Sequence, residues 1–277
     1  MKKNLTFFVL FLSIIAFVIT FFAACSKDSL KEDTTAATDN SIGDQMYDDA
    51  LTQVSTSEED LFSGKKRVGT CPSVTITSGD ADVNNWPKTI TIDFGSAGCT
   101  GVDGVFRKGM ITVTLTGRIR TPGSVWTITF NGYTVDNYIV EGNYVYSNTT
   151  VGNSNPTFSM ILTGGKITKP DNSKLEFGCN RVKTWSQGSA TLLDLSDDIY
   201  KSTGTAQLTQ ANGTKWNGEY VSDPLVTAPS CGYIMGGSLK ITSGIKVIMI
   251  DYGNEVCDDK AKVTVNGVYE TEIDLDY

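Results

Sequence analysis

One block of sequence occurs twice in this chain, and no other feature restricts its fold as much. Ile90-Thr91-Ile92-Asp93-Phe94-Gly95, then three residues and Cys99, returns as Ile248-Met249-Ile250-Asp251-Tyr252-Gly253, three residues and Cys257. Cys71 precedes Cys99 by 28 residues, and Cys231 precedes Cys257 by 26. Each block is followed by a similar strand, Lys108-Gly109-Met110-Ile111-Thr112-Val113 and Lys260-Ala261-Lys262-Val263-Thr264-Val265. This reads as one supersecondary unit used twice, over 70–120 and 230–270: strand, loop, strand, cysteine turn, strand. Four cysteines allow three pairings. The repeat selects Cys71–Cys99 and Cys231–Cys257, each within its own unit. On the chain-entropy model, loops of that length contribute about 3.5 kcal/mol per bridge.

From Gly69 onward the hydrophobic period is two. Ile90, Ile92 and Phe94 alternate with polar residues, as do Ile111, Val113 and Leu115, and Trp126, Ile128 and Phe130. Arg107 to Thr121 reads as a long strand with a bulge, and Thr121-Pro122-Gly123-Ser124 as a type II turn, since proline sets φ and glycine accepts a positive one. Asn131-Gly132, Asn212-Gly213 and Asn266-Gly267 add turn signals. The pattern predicts an all-β, antiparallel domain over 67–277, a sandwich or a strongly curved meander of about 12–15 strands. No long helix is expected after residue 66.

The other end of the chain is different. A positive start, Met1-Lys2-Lys3, precedes an almost wholly apolar run from Leu5 to Phe22, then Ala23, Ala24 and Cys25. That order predicts a signal peptide over 1–24. An uncleaved membrane helix is the rival, because a largely apolar run of 18 residues lies at the lower limit for a span. Export places the cysteines outside the reducing cytosol. Residues 25–66 read as an acidic linker, with 26–41 a flexible tether. Ile42, Met46, Ala50, Leu51 and Val54 recur at helical spacing and predict a short helix at 43–55, either transient or docked on the β domain.

Cys25 after two alanines resembles a lipobox, although Phe22 stands where the pattern usually has Leu. Ser26-Lys27-Asp28 partly resembles the surface-export signal of Bacteroidota lipoproteins. Asp28-Ser29-Leu30 and Asp33-Thr34-Thr35 look like O-glycosylation acceptors of the same phylum. With the repeated block and the later Lys260-to-Gly267 strand, the chain resembles a group of uncharacterised Bacteroidota envelope lipoproteins over most of 70–270. The resemblance implies acylation at Cys25, an outer-membrane address facing the periplasm or the outside, and an all-β fold. It implies no activity.

Histidine is absent from the chain, which removes Ser-His-Asp and Cys-His nucleophile systems and His-ligated zinc. No phosphate-binding glycine loop is present, and no cofactor is expected. The signal segment holds two lysines and no acid, so the remainder has 21 basic and 31 acidic residues, a net charge of −10 that disfavours nucleic acid as a partner. Asp93 and Asp251 occupy equivalent positions beside a turn glycine, where Asp commonly bonds local backbone. The rival reading makes them a facing pair of glycosidase carboxylates. Asp80, Asp82 and Asn84 imitate the opening of a calcium loop, but Asn85 replaces its glycine and Thr91 its twelfth-position Glu, so no metal site is assigned. Cys179 is left over and reads as a buried small hydrophobe. Trp126 reads as core, and Trp86, beside the Asx-rich loop, as a platform on which a sugar ring stacks. The first functional reading is a non-catalytic envelope lipoprotein, a binding or structural β module held to the membrane by its lipid and meeting a glycan or an envelope protein. A carboxylate-dependent carbohydrate-active enzyme is second, and an adhesin or surface assembly subunit third.

Overall fold

The computed structural model describes the backbone of residues 2–63, 71–80, 82, 84–191, 194–220 and 223–275, with helix side chains at 31 and 33–62. Among the described residues a single helix, α1 (Lys2–Ser63), precedes fifteen strands. These are β1 (Ser73–Ser78), β2 (Lys88–Asp93), β3 (Cys99–Thr100), β4 (Phe106–Leu115), β5 (Val125–Val135), β6 (Tyr138–Asn148), β7 (Thr157–Thr168) and β8 (Lys174–Gln187). Then come β9 (Ile199–Thr209), β10 (Lys215–Tyr220), β11 (Leu225–Thr227), β12 (Gly236–Ser243), β13 (Lys246–Asn254), β14 (Lys260–Val265) and β15 (Tyr269–Asp274). All belong to one antiparallel sheet, a curved meander rather than a sandwich, running β1-β2-β4-β5-β6-β7-β8-β9-β10-β12-β13-β14-β15. Strand β3 flanks β4, and β11 bridges β9 and β12. Among the described residues no helix is long and apolar enough to cross a membrane.

The sheet wraps around α1. Residues 39–47 of the helix are buried without a break, although an isolated amphipathic helix would leave one face wet. Of the two readings of the expected short helix, the docked one is what the structure has. It also extends further, since burial begins at Asp33, inside the stretch whose composition suggested a tether. Met46, Ala50 and Val54 are fully buried on it. Tyr47 stacks on Phe177 at 6.0 Å between centroids, and its hydroxyl donates to the Glu141 carbonyl at 2.6 Å. Gly43 lets that Phe177 ring reach the helix backbone, because a Cβ there would sit 2.4 Å from it.

The wall facing the helix is both apolar and cationic. Strand β8 turns Leu175, Phe177, Cys179, Arg181, Lys183 and Trp185 inward, alternating with exposed or half-buried residues. Asp44 and Asp48 lie one helical turn apart, about 6 Å of rise. Arg181 and Lys183 lie two strand residues apart, about 6.6 Å. The spacings match: Asp44 pairs with Arg181, and Asp48 with Lys183 at 3.0 Å. Rotation around α1 carries its other acids to other walls. Asp33 meets Lys246 at 2.7 Å, Asp39 meets Lys169 at 2.8 Å, Asp49 meets Arg107, and Glu58 and Glu59 meet Arg118.

Both predicted disulfides are present, Cys71–Cys99 and Cys231–Cys257. Strand pairing shows that the repeat is longer than the quoted blocks. Ser73, Val74, Thr75 and Ile76 face Asp93, Ile92, Thr91 and Ile90; Ser238, Leu239, Lys240 and Ile241 face Asp251, Ile250, Met249 and Ile248. The equivalent strands therefore read Ser-Val-Thr-Ile-Thr-Ser-Gly and Ser-Leu-Lys-Ile-Thr-Ser-Gly. The first copy then carries seven extra residues before its Ile-x-Ile-Asp strand.

Two local expectations are corrected. Asn131-Gly132 lies inside β5 as a bulge, Gly132 at φ 60°, because Gly109 of β4 approaches so closely that a Cβ would sit 2.1 Å from the Gly132 carbonyl oxygen. The hairpin turn is instead Asp136-Asn137, both with positive φ. The strand expected from Arg107 to Thr121 ends at Leu115. Gly123 does supply the positive φ of the Pro122 turn, at 84°.

Candidate functional site

The residues singled out in the sequence do not converge. Cys25 lies among the residues whose side chains are outside the description. Asp93 and Asp251 each accept a hydrogen bond from the glycine two residues on, Gly95 at 2.7 Å and Gly253 at 2.9 Å, so both hold a turn. In the Asp80 loop, Asp80 accepts from the Asp82 N–H at 2.9 Å and from Asn85 at 2.9 Å, and Asp82 accepts from the Asn84 N–H at 3.0 Å. The Lys88 ammonium lies 3.3 Å from the Asp80 carboxylate, so its oxygens serve the loop itself. Among the described residues no group of three or more Asp, Glu or Cys is arranged to hold a metal.

Trp86 is half-buried; its ring meets Phe62 edge-on at 5.3 Å, with the Lys88 ammonium 5.1 Å away. Trp86 thus packs against the end of α1. Trp126, Trp185 and Trp216 are core, each donating its indole N–H to an interior acceptor: the Gly117 carbonyl, Asp198 and Gln210. Cys179 is a free thiol in the inward row of β8, and burial pushes its pKa up despite the neighbouring Arg181, so it is not an activated nucleophile.

A cavity that sequence reasoning missed lies between α1 and the segment 227–234, with a volume of about 250 Å³. The Cys231–Cys257 bridge ties down its outer wall. Tyr146, Tyr200 and Tyr233 supply aromatic surface. Its charged groups are engaged with one another. Arg107 is held by Asp49, through Nε at 3.1 Å and a second N–H, and by Asp103 at 3.0 and 2.7 Å. Tyr133 donates to the same Asp49 at 2.6 Å. Burial alone would raise Asp103, but hydrogen bonds from Arg107 hold its carboxyl below the usual range. Asp48 holds Lys183, whose ammonium lies 5.0 Å from the Tyr200 ring. Asp44 holds Arg181, and burial still pushes the Asp44 carboxyl up to about 6.

Of the side chains that line the cavity, the buried atoms without a hydrogen-bond partner among the described residues are neutral, although Arg181 Nε behind the wall also has none. Gln45 lines the cavity at 6% exposure, and among the described residues neither its amide oxygen nor its amide nitrogen has a partner. Thr227 Oγ1, on the opposite wall, has none either. Leaving such groups unpaired costs about 1–3 kcal/mol each. No sequence pattern announces Gln45; the signal exists only once the helix is seen to be buried. This chain matches no family model, no curated protein and no solved structure.

Proposed function

We propose that this protein is a non-catalytic lipoprotein of the cell envelope, anchored at Cys25, whose β body binds one neutral hydroxyl-bearing group, such as a single glycan residue, in the cavity beside α1. The Gln45 amide carries this reading. Its NH2 carries two N–H donors and its carbonyl is an acceptor, beside a cavity whose ionic groups are already paired with one another, and a turn of the buried side chain toward a ligand would give these atoms partners. At about 250 Å³ the cavity is smaller than the roughly 300–1,000 Å³ of drug-sized pockets, which suits one ring rather than a chain. A Cys25→Ser chain that still incorporated labelled fatty acid would refute the anchor.

The binding test is a glycan-array screen of the full chain, scored again by thermal shift. A Gln45→Leu variant is expected to melt higher than the wild type without ligand, since a buried orphan amide is removed, by about 2–4 °C per kcal/mol gained. The same variant is expected to lose the ligand-induced shift. Equal glycan binding by wild type and variant would sink the assignment of the cavity.

The enzyme reading has one observation in its favour, the elevated Asp44 carboxyl on the cavity wall. Against it, Asp44, Asp48, Asp49 and Asp103 each hold an Arg or Lys, whereas an acid–base pair needs both carboxyls facing the substrate.

A further inference from the structure

The duplication supplies an internal control for the free edge of the sheet. Strands β1 and β12 are equivalent by register, and four of their six aligned residues are identical. Strand β12 has an antiparallel neighbour on its other side: Asn217, Gly218, Glu219 and Tyr220 of β10 pair with Thr242, Ile241, Lys240 and Leu239. The corresponding residues of β1 are Thr77, Ile76, Thr75 and Val74, and among the described residues β1 ends the sheet. The difference shows in burial. Leu239 and Ile241 are fully buried, while Val74 and Ile76, at the same positions, are only half-buried. Among the described residues, one copy of the unit is covered by a strand where the other is open.

The two free edges differ in chemistry. Strand β15 carries Glu270, Glu272 and Asp274, and charge of one sign protects an edge from pairing with itself. Strand β1 is uncharged, and residues 74–77, Val-Thr-Ile-Thr, are all β-branched. Two β1 edges related by a two-fold axis form an antiparallel pair with no like charges opposed. That is the relation β10 already bears to β12. We propose that β1 is a homodimer edge, pairing antiparallel with β1 of a second copy and supplying the cover that β10 gives to β12. A six-residue pair is small beside the roughly 1,200–2,000 Å² of stable interfaces, so the contact is weak and is to be sought where copies are crowded in one bilayer.

The test is crosslinking of the full chain in phosphatidylcholine vesicles with a short bis-maleimide. In a two-fold pair, residue 75 of each copy lies within about 8 Å of its mate or of the adjacent pair. A Thr75→Cys chain is therefore expected to give a dimer band. Adding Thr77→Lys, an exposed change that places two ammonium groups across the pair, is expected to reduce that band at least fivefold while the melting temperature stays unchanged. A Glu272→Cys chain on the β15 edge is expected to give no band above the wild type. Absence of a dimer from Thr75→Cys overturns the proposal. So does a ladder of higher species, or equal crosslinking through position 272, because either means open-ended or non-specific contact.

Discussion

A chain that begins at residue 67, and so contains every strand, is expected not to reach the native state. Such a chain lacks Ile42, Met46, Tyr47, Leu51 and Val54, all buried against the sheet. Each large apolar side chain contributes about 1.5–3 kcal/mol on burial, so the loss is on the order of 10 kcal/mol, comparable with the whole stability of a domain. The loss is compounded by charge, because Arg107, Arg181 and Lys183 are left in the interior without the helix carboxylates that hold them. The expected product binds a hydrophobic dye strongly, keeps far-ultraviolet β signal and melts without a cooperative transition. Adding a synthetic peptide of residues 31–66 in trans is expected to restore cooperativity. A chain from 67 that melts cooperatively within about 5 °C of the full protein, a shift worth only about 1–2 kcal/mol in a domain this size, would show that the helix is an accessory.

That expectation separates what was legible in the sequence from what was not. The strands were legible because the alternation of Ile90, Ile92 and Phe94 reports a half-buried sheet directly. The disulfides were legible because the repeat fixes two local pairs. The two turn aspartates were legible because Asp before x-Gly bonds its own backbone. The helix core was not. Its residues 33–59 include Asp33, Asp39, Asp44, Asp48, Asp49, Glu58 and Glu59, a composition that on its own describes solvated chain. The compensating information sits more than a hundred residues away from Asp44 and Asp48, in β8, where Arg181 and Lys183 occupy the inward phase set by Leu175, Phe177 and Trp185. Cations in the apolar phase of a strand, together with acids one helical turn apart elsewhere, were the available signal. The cavity was less legible still, since Gln45 becomes an orphan only after the sheet has closed over α1.

The Asp44–Arg181 pair makes the second large prediction. Both side chains are almost fully buried, and the guanidinium carbon lies 4.9 Å from the Tyr220 ring and 5.9 Å from the Phe177 ring. Removing one partner of a buried pair costs about 3–5 kcal/mol, because the other charge stays behind. Arg181→Met is therefore expected to destabilise by that amount at pH 8. The double change Asp44→Leu with Arg181→Met is expected to recover to within about 1 kcal/mol of the wild type, since two apolar side chains fill the same volume. pH provides a separate check. Burial raises Asp44 from 3.8 to about 6, and Glu58, which is paired with Arg118, from 4.5 to about 7. A carboxyl raised in the native state keeps a proton that the unfolded chain has already released. The stability it contributes is full below the unfolded pKa and is lost as pH rises through the folded one. Unfolding free energy from urea titration is thus expected to fall between pH 4.5 and pH 7, and Asp44→Asn together with Glu58→Gln is expected to flatten that slope. Arg181→Met should be least damaging at the acid end, where Asp44 takes up a proton instead of remaining an unpaired charge. A cost for Arg181→Met that is the same at pH 5 and pH 8 would mean that Asp44 is not the group Arg181 neutralises.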